Sequence, residues 1–173
     1  MQASVFVGVS VDGFIARRNG ALDFLDEGGG EPHGYDEFIA TVDVLVIGRG
    51  TFEVVAKFEQ WPYGEKRVVV LSSKAIDLSG IPSTVTHMHG EPAAIVAALD
   101  GQGFRHAYVD GGITIQRFLR ARLIQKLTIT RVPVLIGDGI ALFGVLPFDI
   151  RLRHIATRSY ASGLVQSEYE IIP

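Results

Sequence analysis

The sequence contains no cysteine. That excludes disulfides, thiolate nucleophiles and cysteine-ligated zinc or iron–sulfur centres in one step, and it suits a reducing compartment. Basic charge is short as well: 16 Lys and Arg stand against 19 Asp and Glu, a net charge of −3. A nucleic-acid binder usually carries a basic excess to displace condensed counterions. No uncharged run approaches the roughly eighteen residues of a membrane span. No basic segment with an apolar run and cleavage site precedes the first apolar stretch. A soluble, cytoplasmic protein is the expectation.

Several signatures are missing too. No G-x-G-x-x-G follows a strand, no G-x-x-x-x-G-K-[ST] loop occurs, and no G-x-S-x-G elbow is present. The usual Rossmann fingerprint, the P-loop and the α/β-hydrolase nucleophile are therefore absent. His87 and His89 would share a face of a strand, but a metal needs three or four ligands and no histidine-rich partner lies near in sequence. No metal site is expected.

What is present is a well-filled core. Hydrophobic residues make up 47% of 173, enough for one domain over 1–173 without staples. Residues 3–9, 44–47, 67–71 and 107–109 are short apolar, β-prone runs, each closed by turn or helix-start residues. Continuous apolar runs of this kind belong to strands covered on both faces. Between them, 35–42, 50–58, 91–99 and 113–123 read as helices, with Pro92 placed early and Ile115, Phe118, Leu119 and Leu123 on one face. Residues 126–136 form a long strand-like run. Segments 150–157 and 164–172 flank Ser162-Gly163 with mostly period-two patterning, as an antiparallel hairpin would. The expected fold is α/β: a three-layer sandwich whose mixed, mostly parallel sheet carries helices on both faces and a C-terminal antiparallel hairpin.

Two segments suit phosphate. Gly48-Arg49-Gly50-Thr51 follows a strand and opens a helix, with Arg49 available for charge-assisted bonds and Thr51 for capping. Asp110-Gly111-Gly112-Ile113-Thr114 repeats the design after another strand. A strand–glycine–helix turn also arises for steric reasons alone. Two anion-ready helix starts together point to a ligand with more than one phosphate, such as a dinucleotide. Ser72, Ser73 and Lys74 add two hydroxyls and a cation, or simply a solvated strand end. Ser10-Val11-Asp12-Gly13-Phe14-Ile15-Ala16 leaves the first strand through an Asp–Gly turn: either a hairpin or a loop with Ile15 and Ala16 facing inward beside a flat ring. Gly28-Gly29-Gly30 marks a loop, and Trp61 reads as packing.

In this order the segments S-V-D-G-F-I-A (10–16), G-R-G-T-F-E (48–53), V-V-L-S-S (69–73), V-D-G-G (109–112) and V-L-I-G-D-G-I-A-L-F (134–143) resemble the dihydrofolate reductase-like superfamily. Within it, the likeness is to the reductase domain of bacterial riboflavin biosynthesis (RibD C-terminal) and its stand-alone relatives. The resemblance implies an NADPH site. Ile15 and Ala16 would border the nicotinamide. Gly48, Arg49, Gly50 and Thr51 would take the pyrophosphate and 2′-phosphate side. Ser72, Ser73 and Lys74 would hold the adenosine phosphate, and Gly111, Gly112, Ile113 and Thr114 would present N–H groups to the pyrophosphate. It also implies a substrate-side acid, for which Asp23 and Asp36 are the candidates, and a homodimer, with 126–136 as a possible contact.

The aminouracil-phosphate reductases of this group use basic residues for their substrate, yet residues 35–42 contain no Arg or Lys. The expected activity is hydride transfer from NADPH to a small planar C=N or C=O compound. The alternative is an NADPH-binding sensor that has lost the chemistry.

Overall fold

The computed structural model describes residues 1–28 and 31–172. Of the expected 28–30 loop, Gly29 and Gly30 lie outside these residues. The chain runs through strands β1 (Gln2–Ser10) and β2 (Phe14–Ala16), a 3-10 turn (Asp23–Gly28), α1 (Tyr35–Ala40), β3 (Val44–Gly48), α2 (Arg49–Val55) and β4 (Arg67–Leu71). It continues through β5 (Val85–Met88), α3 (Pro92–Gly101), β6 (His106–Asp110), α4 (Gly112–Arg120), β7 (Lys126–Val132), β8 (Ile140–Ala141), β9 (Leu152–Ser159) and β10 (Val165–Ile171). Eight strands form one sheet in the order β5-β4-β3-β6-β1-β7-β10-β9. The first six pair in parallel, and β10 runs antiparallel to both β7 and β9.

The apolar strands are buried on both faces, as their runs implied. Val44, Leu45, Val46 and Ile47 are all fully buried, because alternate side chains enter two separate cores. Val44 and Val46 pack with Ile95 and Leu99 of α3 and with Ile115, Phe118 and Leu119 of α4. Leu45 and Ile47 pack with Phe52 and Val55 of α2, with Phe38 and Ile39 of α1 at the edge. Helices thus cover both faces, with α1 and α2 on one side and α3 and α4 on the other.

Three expectations change. The 126–136 run stops at Val132, because Pro133 offers no N–H to a ladder. Its strand β7 lies inside the sheet, paired on both edges. The Asp–Gly turn does close, Gly13 N–H donating to the Ser10 carbonyl at 2.9 Å, but it makes no hairpin. Instead β2 pairs with β8, Phe14 opposite Ala141 and Ala16 opposite Ile140. Ile15 and Ala16 are buried there, so the inward-facing reading of this loop holds.

The loop of residues 11–25 is fastened to residues 134–142. The Asp12 carboxylate accepts the Gly137 N–H at 2.7 Å and the Ile136 N–H at 3.3 Å. Arg18 pairs with Asp138. No space for a side chain exists at Gly139, where a Cβ would meet the Ala16 carbonyl.

Candidate active site

In parallel α/β sheets the carboxyl ends of the strands are where ligands bind, at a reversal of strand order. Here the chain passes from β1 over the place of β6 to β3, moves outward to β4 and β5, and returns with β6 beside β1. The ends of β3 and β6 are therefore neighbours, with Ile47 in register with Asp110.

Each carries one of the two glycine segments, and the segments interlock. A Cβ at Gly48 would stand 2.5 Å from the Thr114 hydroxyl, and a Cβ at Gly111 would stand 2.5 Å from the Thr51 hydroxyl. Each helix start thus gives up a side chain to admit the other's threonine. Gly111 also has φ +96°, a conformation that L side chains rarely adopt. Neither α2 nor α4 has a side-chain cap on its first turn, which leaves the leading N–H groups without an internal partner. The expected capping role of Thr51 is corrected by this: Gly48 is the cap position, and Thr51 lies inside the helix against Gly111.

Gly112 has no room for a side chain. A Cβ there would meet the Ala141 carbonyl and Ile140 at 2.9 Å and Ile15 at 3.3 Å. The first loop therefore lies directly over the start of α4, bringing Ile15 to the glycine pair. Ile113, next along, is 71% exposed on the outer side. Arg49 is half-exposed and bonded through Nε to Glu53 at 2.6 Å. Gly50 has no neighbour near its Cβ position. At the end of β4, Ser72 oxygen accepts the Lys74 N–H at 3.0 Å, with Ser73 and Lys74 exposed. The Ser72 carbonyl meets His87 Nε2 at 2.8 Å. Ser72 to Lys74 thus border the same carboxyl edge, one strand beyond Gly48.

The two candidate acids are in water. Asp23 accepts two bonds from Arg17, Nε to Oδ1 at 2.6 Å and Nη2 to Oδ2 at 2.8 Å. Those bonds hold its carboxyl below the usual range, so it is a poor proton donor at neutral pH. Asp36 is exposed in the first turn of α1.

A third acid has the opposite surroundings. Asp110 ends β6 on the side of Tyr108, facing α1. Its Oδ1 accepts the Gly111 N–H at 2.7 Å. Burial raises its carboxyl to about 6, against the lowering effect of that bond. Its charge reaches Tyr35 and Tyr63, and burial together with that charge raises both phenols. Sequence reasoning missed Asp110 as an acid. Its signal was a lone carboxylate closing the apolar run 107–109, immediately before two glycines.

A separate cleft of about 630 Å³ opens on the same face between α1 and the first halves of β1 and β7, lined by Ser4, Phe6, His106, Thr128 and Gln166 among others. It includes none of the glycine segments. Among the described residues, no group of three or more His, Asp or Glu is placed to hold a metal, and no helix is long and apolar enough to cross a membrane.

Comparison with known proteins agrees with this geometry. The family profile of the RibD C-terminal domain matches residues 4–166. YwjB of Bacillus subtilis (strain 168), an uncharacterised protein, is 32% identical over 168 residues, covering 95% of each chain. A crystal structure from Shewanella sp. PV-4, of a candidate riboflavin biosynthesis protein, superposes with TM-score 0.93 at 36% identity and covers all of both chains. Enterococcus faecalis dihydrofolate reductase, solved with NADP(H) and RAB-propyl, shares the fold: TM-score 0.68 at 15% identity, covering 99% of this chain and 97% of that one. With its glycine-lined carboxyl edge and a sheet that shares the dihydrofolate reductase fold, the chain belongs to the RibD C-terminal domain family.

Proposed function

We propose that this protein is an NADPH-dependent reductase acting on a small planar C=N or C=O compound, with Asp110 as proton donor. The observation that carries the reading is the interlock of Gly48 with Thr114 and Gly111 with Thr51. It joins two uncapped helix starts into one cradle at the carboxyl edge of the sheet. The cradle fits a dinucleotide: the interlock holds the two helix starts side by side, Gly50 leaves open space beside the first of them, and the donors are backbone N–H groups suited to a pyrophosphate.

In this reading the N–H groups of Gly112, Ile113 and Thr114 bind the pyrophosphate together with those of the Gly48 to Thr51 turn. Ser72, Ser73 and Lys74 hold the adenosine phosphate, and Arg49 lies within its reach. Ile15 and Ala16 press the nicotinamide toward Gly111 and Gly112. Bound NADPH supplies the hydride. The protein's own work is orientation, exclusion of water by the 11–25 loop, and delivery of a proton. Asp110 suits that last task because a carboxyl near 6 is still partly protonated at neutral pH. Its presence beside the glycine pair supports catalysis over the non-catalytic sensor.

A two-fold homodimer is part of the proposal. Of the sheet's two edge strands, β5 and β9, the longer is β9, eight residues exposed along nearly its whole length, and exposed edges of that length favour pairing. Sedimentation at micromolar concentration should give twice the 18.8 kDa chain mass, and a monomer would remove this element.

The test of the cofactor assignment is a fluorescence titration with NADPH and NADH. Tight binding with a preference for NADPH is expected. Lys74→Ala and Arg49→Ala should each weaken NADPH more than NADH, and equal loss for both cofactors would remove these residues from the 2′-phosphate. No binding of either nucleotide would overturn the reductase reading.

A further inference from the structure

We propose a second reactive centre, apart from the cofactor cradle: Ser4 and His106, in the cleft between α1 and the first halves of β1 and β7, form a nucleophile–base pair that hydrolyses small carboxylic esters. This centre does not depend on the reductase reading. Three hydrogen bonds set its roles. His106 Nδ1 lies 3.0 Å from the Thr41 carbonyl, which has lone pairs and no proton, so Nδ1 is the donor. The Thr41 hydroxyl, 3.2 Å from the same nitrogen, gives its own proton to the Phe38 carbonyl at 2.7 Å and likewise accepts. In the neutral ring Nε2 is then the unprotonated nitrogen, and the Ser4 hydroxyl donates to it at 2.8 Å. A serine bonded to a base that a third group orients is the arrangement of an activated nucleophile. Such pairs are recognised by geometry and roles, not by a sequence motif.

The fold holds this pair firmly. His106 opens β6, which runs parallel to β1 with His106 opposite Gln2. The Asp43 carboxylate accepts the backbone N–H groups of Arg105 and His106, each at 2.8 Å, and so fixes the start of the strand. Those two bonds, and after them the nearby His106, hold the Asp43 carboxyl below the usual range. A negative charge therefore stands close to the ring that takes the proton. Phe38 meets that ring edge-on at 5.8 Å, which limits its rotation.

The setting suits acyl transfer. Ser4 is buried and lines the cleft, as do His106, Gln2 and Lys126. Its volume of about 630 Å³ admits a small ligand, and Phe6 and Phe38 give it an apolar wall for an acyl group. An attacked ester gains negative charge on its carbonyl oxygen, which needs donors nearby. Gln2 Nε2 lies 3.4 Å from Ser4 Oγ, and Lys126 stands beside Ser4 in register on β7. Lys126 makes no ion pair among the described residues. The next carboxylate along its row, Glu170, is held by Arg153. In the reaction Ser4 Oγ bonds to the ester carbonyl carbon as its proton passes to His106 Nε2. The C–O bond to the alcohol then breaks, and the alcohol leaves with that proton. Water repeats the sequence on acyl-Ser4: His106 takes a water proton, the hydroxide bonds to the acyl carbon, and the acid leaves as the proton returns to Ser4 Oγ. The sum is ester plus water to acid plus alcohol, with no NADPH consumed.

The test treats the unaltered protein, native and urea-denatured, with diisopropyl fluorophosphate and locates the adduct by peptide mass spectrometry. The native protein should carry the diisopropylphosphoryl group on Ser4, and the denatured protein should carry none there. With p-nitrophenyl acetate the native protein should release a burst of about one p-nitrophenolate per chain before steady hydrolysis. Ser4→Ala should remove the burst. His106→Gln, which leaves the hydroxyl in place, should slow acylation by about 10²-fold or more. Circular dichroism confirms that each variant is folded.

Absence of an adduct on Ser4 in the unaltered native protein would overturn the inference, whether or not the variants fold. So would equal labelling of Ser4 in the denatured chain, or a burst that survives Ser4→Ala. None of these results bears on NADPH binding, which is measured separately.

Discussion

At the tip of the first loop, Asp23 lies in water with both carboxylate oxygens bonded to Arg17. At the end of β6, Asp110 is desolvated by burial, with one backbone N–H bonded to it and its charge reaching Tyr35 and Tyr63. The side chains are identical, yet the first is locked in its ionised form and the second is pushed toward neutrality. Proton donation at neutral pH needs the second kind of environment. The contrast shows that a carboxylate's role follows from its partners and not from its place in a motif.

The largest effect that would break this contrast is on turnover. Replacing Asp110 with Asn keeps an acceptor for the Gly111 N–H but removes the proton. Single-turnover NADPH oxidation, with an acceptor drawn from a ketone, imine and pterin panel, should slow by about 10²-fold or more. Asp23→Asn should leave it within about threefold, since a proton donor's contribution is absent there. Comparable losses for both would erase the distinction.

Next in size is the cradle. Gly111→Ala places a Cβ 2.5 Å from the Thr51 hydroxyl at φ +96°, and a cost of about 2–3 kcal/mol in chemical denaturation is expected from strain plus contact. Gly13→Ala is the control: φ +89° with nothing within 4 Å, so only strain of about 1 kcal/mol remains. Adding Thr51→Ala to Gly111→Ala should restore the contact part and leave the strain.

Smaller still is the effect on stability. A folded-state value near 6 for Asp110 lies above its unfolded value of 3.8. The folded protein therefore binds the extra proton, and stability falls as pH rises from about 4 to 6. Asp110→Asn is free of that loss. It should be more stable than the parent by on the order of 2 kcal/mol at pH 7, with the advantage shrinking toward pH 4. Asp23→Asn runs oppositely, because Arg17 holds the Asp23 carboxyl low. Any stability it removes should vanish as pH falls through the acid range. Thermal melts across pH 4–8 would show curves of opposite slope.

Much of the fold was legible because its signals are local. The runs 44–47, 67–71 and 107–109 are apolar without alternation, which is what burial between two helix layers requires, and each became an interior strand. The helix starts at Gly48 and Gly111 were marked by glycine. The insertion of β6 between β1 and β3 left no local mark, and neither did β2 and β8, three- and two-residue strands that exist only because the first loop meets 140–141.

The site divides the same way. The glycine segments and the Ser72 to Lys74 turn came from the chain itself, but the interlock of Thr51 with Gly111 joins residues sixty positions apart. Asp110 was overlooked because its burial is a product of the folded sheet, and the phenols its charge reaches, Tyr35 and Tyr63, are distant in sequence. Conversely, the pairing that disables Asp23 is six residues away at Arg17, near enough to have been weighed.

The most direct measurement is a carbon-13 NMR titration of aspartate carboxyls in the parent and in Asp110→Asn. One carboxyl with a midpoint near 6, missing from the variant, is the expected result. Asp110 titrating below about 4.5, in the ordinary carboxylate range, would contradict its assignment as the proton donor.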